Sequence, residues 1–267
     1  MRSRKLGLTS GDTAALLATL PAWAFSFVLV MARVGGAVAL LPGLGESEPP
    51  AVLRVGLAAA ITALLLPGIA PSVPAAPEAS VQAAAMVAAE LITGLWLGWL
   101  ARLMVLALPI AGQFIGYMMG IANVLQPDPI LGGQATPISS LLAIAAPLFI
   151  LASGLYALPL TALAGSYTIV PAGAMLPAAD GAQTAVHAVG IAFGVALRLA
   201  SPFILVSVVW HVAIGLLARM VPRLQVYFVA MPAQLLGGIL LLAVLATALM
   251  SAWGEAARTA FGALPGL

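Results

Sequence analysis

Residues 112–137 read GQFIGYMMGIANVLQPDPILGGQATP. Gly112, Gly116 and Gly120 recur at every fourth position. That spacing predicts a helix carrying all three on one side, where a second backbone can approach closely. The stretch then turns against helix, with Pro127, Pro129, Pro137 and a Gly132-Gly133 pair, none of which a continuous helix tolerates. Between the glycines stand Phe114, Tyr117, Met118 and Met119, all bulky, the methionines flexible as well. The expectation is a close-packing helix that stops inside an apolar chain.

The surroundings are apolar throughout. Of 267 residues, 63% are hydrophobic and 7% charged, against about 25% charged in a soluble domain. So few charges cannot solvate a folded monomer, so the chain reads as an integral membrane protein or a subunit buried in one. The net charge of +2 rests on a handful of side chains. No basic patch stands ready for phosphates, so nucleic acid is not a predicted partner. The absence of cysteine excludes thiol catalysis, disulfides and Cys-ligated metals. His187 and His211 form no HExxH-type cluster. With no carboxylate pair, serine–histidine arrangement or phosphate loop either, neither an enzyme nor a cofactor is expected.

Working outward, the charged residues and prolines divide the chain into six long apolar segments, roughly 14–41, 51–69, 81–108, 138–164, 184–220 and 224–253. Arg2, Arg4 and Lys5 precede the first, and Ala22-Trp23-Ala24 could pass for a cleavage site. The apolar run continues to Leu41, however, and is expected to remain as an uncleaved first span. Apolar residues lie all around each segment, against a soluble amphipathic reading. Several segments exceed the ~20 residues that cross a bilayer core. The basic N-terminus predicts a cytoplasmic start, yet six spans would put the basic connector Arg219–Arg223 outside. Gly94/Gly98 and Gly190/Gly194 repeat the small-residue spacing. Pro109, Pro147, Pro159, Pro202 and Pro232 predict kinks. The tail from Gly254 is expected to fray.

Arg33, Arg54, Glu90, Arg102 and Arg198 are the charges expected to be buried. Such groups face a partner or a water-filled cavity. Glu90 and Arg102 are about 120° apart around one helix, so they do not pair with each other. A secondary transporter for a small solute, with Glu90 or Asp128 in its coupling site, is one reading of these charges. Separate structural partners are the other. His211 reads as an interior histidine, and Asp128 between two prolines as a turn residue.

The order of motifs resembles the FliR family of type III export-gate proteins, flagellar and injectisome. Arg33, Pro42 and Arg54-Val-Gly-Leu are similar to its N-terminal pattern. Glu90-Leu-Ile-Thr-Gly-Leu-Trp-Leu-Gly resembles its second signature. Ala111-Gly112-Gln113-Phe114-Ile115-Gly116-Tyr117-Met118-Met119-Gly120, then Asp128-Pro129 and Pro137, resembles its central series. Gly215-Leu-Leu-Ala-Arg219-Met-Val-Pro222 and Val226 through Pro232 resemble its C-terminal pattern. The resemblance spans about residues 33–250.

It implies an all-α, integral membrane-type fold of helical hairpins with kinked long helices. Residues 1–183 would be a FliP-like part containing a central plug-like loop at 112–137, and residues 184–267 a FliQ-like hairpin and tail. It implies a structural and gating subunit that helps form and seal the pore for unfolded polypeptides. The partners would be FliP-like and FliQ-like subunits in a hetero-oligomeric ring, an FlhB-like subunit and membrane lipid. The site would be the bacterial inner membrane, in a flagellar basal body or injectisome base. The plug would comprise Gln113, Phe114, Tyr117, Met118, Met119 and Leu125. Helix packing would fall to Gly94, Gly98, Gly112, Gly116 and Gly120, and the loop's structure to Asp128, Pro129 and Pro137. Asn123 and Gln126 stand where the family carries aromatics, which moves the expected seal to Phe114–Met119.

Overall fold

A computed structural model describes residues 10–46, 49–121, 135–220 and 226–267, without the side chains of 10–19 and 227–229. Among the described residues there are seven α-helices and no strand. They are α1 (Ser10–Leu40), α2 (Ala51–Ile69), α3 (Ser80–Met118), α4 (Pro137–Ser153), α5 (Ala157–Ile169), α6 (Ala178–Met220) and α7 (Val226–Gly262). The all-α reading holds. Five helices are long and apolar enough to cross a membrane, or six spans if the broken pair α4–α5 counts as one. With 39 and 43 residues, α3 and α6 are ~60 Å long at 1.5 Å per residue, twice the ~30 Å bilayer core.

The chain divides into two compact units. The first comprises α1, α2, α3 as far as Trp99, residues 160–177 and residues 265–267. Its core contains Leu29, Val30, Val34 and Val38 of α1 and Leu97 of α3. Here α1 and α3 touch backbone to backbone. A Cβ at Gly94 would run into the Arg33 carbonyl, one at Gly98 would come 2.6 Å from the Ala37 carbonyl, and one at Gly36 2.8 Å from that of Leu91.

The second unit comprises α3 from Leu100, α4 and the start of α5 to Pro159, and residues 178–264 with α6 and α7. Leu108, Ile115, Ile150, Phe203, Trp253 and Phe261 are buried in it. The Trp253 indole Nε1 donates to the Met104 carbonyl at 3.1 Å, and its ring meets Phe149 edge to face at 5.5 Å. Within this unit α6 and α7 pack on each other. The expected division at 183/184 falls in the first turns of α6.

Four sequence expectations change. The third segment does not end at Leu108, because α3 runs on through Pro109 to Met118 and takes Gly112 and Gly116 with it. The fourth segment is broken at Gly154, whose φ of +74° ends α4; a glycine in this conformation is a common helix stop. The tail is ordered: α7 reaches Gly262, and a Cβ at Gly165 would collide with the Gly266 carbonyl. Finally, Gly190 and Gly194 have no neighbour within 4 Å where a Cβ would sit, so this pair packs nothing within the chain.

Candidate functional site

The last two turns of α3 carry most of the residues the sequence singled out. Gly112 and Gly116 lie against the incoming chain of α4. A Cβ at Gly112 would come 2.8 Å from the Cα of Ser139, and one at Gly116 2.5 Å from the Thr136 side chain. Gly120 is not on this face. It follows the helix with φ +77° and closes it, its N–H donating to the Tyr117 carbonyl at 3.1 Å.

Polar groups finish the junction. Thr136 is the N-cap of α4, its Oγ1 accepting from the Ser139 amide at 3.2 Å. The same hydroxyl donates to the Gly112 carbonyl at 3.1 Å, and the Thr136 amide donates to Gln113 Oε1 at 3.0 Å. Ser139 Oγ donates to the Pro109 carbonyl at 2.8 Å. The chain therefore leaves α3 near Met118 and returns at Thr136 pinned to it.

The side chains of this helix end divide into two sets. Phe114 packs edge to face on Phe193 of α6, centroids 6.0 Å apart. Met119 is 3% exposed. By contrast Tyr117 is 48% exposed, its hydroxyl accepting from Gln113 Nε2 at 3.2 Å, and Met118 is half-buried. Of the expected plug residues that the structure describes, Tyr117 is thus the one presented outward, whereas Gln113, Phe114 and Met118 are half-buried and Met119 is buried. Leu125, Asp128 and Pro129 lie outside the described residues, and Pro137 is the first residue of α4.

A second constellation lies in the first unit. Arg33 and Glu90 are both fully buried and pair bidentately, Nε to Oε2 at 2.7 Å and Nη2 to Oε1 at 2.9 Å. Arg33 Nη1 also donates to Ser166 Oγ at 3.2 Å, and its guanidinium lies 4.0 Å above the Tyr167 ring centroid. Glu90 Oε1 accepts further from the Gly173 amide at 2.7 Å. Such fork-to-fork pairs are strong and fixed in direction. With three donors already on it, Glu90 has little capacity left for a translocated ion, which weakens the transporter reading.

The remaining expected buried charges differ from these. Arg54 and Arg102 are half-buried, and the Arg54 Nε is buried without a hydrogen bond. Arg198 is a correction: it lies exposed on α6, because the buried face of that helix runs through Ala192, Ala196, Leu199 and Phe203. His211 is also at the helix surface, its Nδ1 2.7 Å from the Ser207 carbonyl one turn back. Among the described residues, no group of three or more His, Asp or Glu side chains could hold a metal. Sequence reasoning missed Ser166, Tyr167, Thr136 and Gln234. Single hydroxyls and amides carry no periodic signal.

The profile of the family described as bacterial export proteins, family 1, matches residues 24–260. The chain belongs to this family. The flagellar biosynthetic protein FliR of Caulobacter vibrioides is 31% identical over 230 residues, 86% of this chain and 92% of that protein. FliR of Bacillus subtilis is 28% identical over 224 residues, 82% and 85% of the two chains. FliR of Escherichia coli is 27% identical over 225 residues, 84% and 85%. A bacterial export protein with this many helices able to cross a bilayer is a multi-pass inner-membrane protein of the flagellar basal body. As a family 1 export protein it is a component of the flagellar export apparatus.

Proposed function

We propose that the chain is a structural and gating subunit of the export gate, helping to form and seal the pore through which unfolded flagellar proteins cross the inner membrane. Its partners in this reading are FliP-like and FliQ-like subunits in a ring, with an FlhB-like subunit beside them. Residues 1–183 act as the FliP-like part and residues 184–267 as the FliQ-like hairpin. Long, apolar outer faces favour such a setting. In α7, 6% of the most apolar stretch is buried within the chain, and α2 leaves Val52 and Leu64 open.

The observation that carries the gating role is the end of α3. Its base is pinned by Gly112, Gly116, Gln113 and Thr136, while Tyr117 projects from it and Met118 lies half-buried beside it. A rigid base with bulky, deformable side chains at its tip suits a steric seal, since methionine adapts its shape without leaving voids. Leu125 extends the seal in this reading.

The test is small-solute passage across the inner membrane in cells whose gate is assembled but idle. Tyr117→Ala, Met118→Ala and deletion of residues 113–125 should each make the membrane leaky, the deletion most. Unchanged permeability in all three, with the complex still co-purifying, would rule out the seal.

A further inference from the structure

The end of α3 is held by α7 as well as by α4. The last carbonyls of a helix have no partner within it. Here the left-handed turn at Gly120 serves the Tyr117 carbonyl, and the Met118 carbonyl accepts instead from Gln234 Nε2 at 3.0 Å. One turn further along α7 is Gly238, on the same face as Gln234. Met119 lies against it so closely that a Cβ at 238 would come 2.6 Å from the Met119 Cγ and 2.9 Å from its Cε. Gln234 and Gly238 thus grip two successive residues, the last of α3 by a hydrogen bond and the one after it by shape.

Beside this grip is a cavity of about 120 Å³ with Met118, Met119, Phe203, Trp210, Gln234 and Gly238 in its walls. It is half open to the outside of the chain rather than sealed in the interior, with Val206 and Gly237 exposed at its edge. A cavity of ~150 Å³ takes up a benzene ring, so this one has room for the end of a methionine side chain. Methionine, unbranched and with three rotatable bonds, can make that move.

We propose that Gln234 is a positioning residue of the gate. Its bond to the Met118 carbonyl, with the Gly238 notch for Met119, fixes the last turn of α3 and so the direction of Tyr117. The cavity is the space into which Met119 swings when that bond breaks. This rests on the gating reading above.

The experiment uses the full chain with its partners, in cells with an idle gate. Gln234→Met removes the donor at similar length, Gln234→Lys keeps a donor, and Gly238→Ala fills the notch. Loss of one hydrogen bond shifts a closed–open balance by roughly fivefold. Gln234→Met should raise solute passage by about that factor, Gly238→Ala should raise it too by displacing Met119 from the notch, and Gln234→Lys should stay near the parent. Because the chain has no cysteine, Tyr117→Cys gives a second measurement in the same membranes. Its rate of thiol modification should change severalfold when Gln234→Met is added. An unchanged labelling rate, or equal leakage from the Met and Lys variants, overturns the proposal. Tyr117→Ala separates the two ideas. If it leaks while Gln234→Met does not, the latch alone is wrong; if neither leaks, the gating reading itself fails.

Discussion

Replacing Glu90 by leucine should be among the most damaging single changes in the chain, and replacing Arg33 by methionine as well should relieve much of the damage. Arg33 has no exposed surface. Without Glu90 its charge keeps the Ser166 hydroxyl and the Tyr167 ring, but it loses both carboxylate bonds. Breaking a buried pair from one side costs about 3–5 kcal/mol, whereas replacing both partners by apolar residues of similar volume is often neutral or better. One polar group keeps the double variant from being neutral here. The half-buried Gly173 amide donates to Glu90, and leaving it without an acceptor costs at most the ~1–3 kcal/mol of a fully buried donor. Ser166 is not orphaned, because it also donates to the Leu163 carbonyl. The expected order is therefore a loss of about 3–5 kcal/mol for Glu90→Leu and for Arg33→Met, and at most ~1–3 kcal/mol for the double variant. For a domain of this size the single variants should lower the melting temperature by on the order of 10 °C. Thermal melting in detergent, followed by the fraction that stays monodisperse, reads this. Additive losses in the double variant would refute the reasoning, since they would mean that the two side chains act independently. Exchanging the two charges should not rescue folding either, because an arginine at position 90 offers the Gly173 amide no acceptor.

Three further outcomes can be checked the same way. Gly94→Ala should prevent stable folding, since its Cβ would overlap the Arg33 carbonyl, while Gly190→Ala should be tolerated in the isolated chain, where the site is open; expression and melting of the two separate them. Thr136→Val removes both the cap of Ser139 and the bond to the Gly112 carbonyl, and at about 1 kcal/mol for each bond should destabilise by ~2 kcal/mol. Trp253→Phe keeps the contact with Phe149 but loses the bond to the Met104 carbonyl, for about 1 kcal/mol, whereas Trp253→Ala should cost about 3–5 kcal/mol.

Much of the fold was legible because the bilayer imposes it: long apolar runs must be helices when no water can satisfy the backbone. Boundaries were harder. The third apolar segment reads as ending at Leu108, yet α3 continues through Pro109. Gly154 reads as one small residue among many, yet its left-handed turn divides two helices. The tail beyond Gly254 looked frayed because Glu255, Arg258 and Thr259 dilute its hydropathy. Its alanines, glutamate and arginine are nevertheless good helix formers, and α7 runs through them. At the candidate site, the glycine spacing pointed to a close approach at Gly112 and Gly116 but not to the α4 entry that makes it. Glu90 and Arg33 were both visible as costly charges. Periodicity places a residue on one helix face and cannot bring together two that are 57 positions apart.

The polar residues of such a chain are best read by asking which backbone groups need them. Water cannot serve the ends of helices inside a bilayer, and each unserved amide or carbonyl there costs several kcal/mol. At three breaks among the described residues, a side chain does that work. Thr136 and Gln113 serve the entry to α4, Gln234 the exit from α3, and Glu90 the turn at Gly173. These four are widely separated in sequence, yet each sits opposite a break that the prolines and glycines do announce. A break therefore calls for a donor or acceptor elsewhere in the chain, and a lone glutamine or threonine in an apolar helix is a candidate to provide it. By that argument Gln234, unremarkable in its own segment, becomes a residue to test as soon as the end of α3 is known.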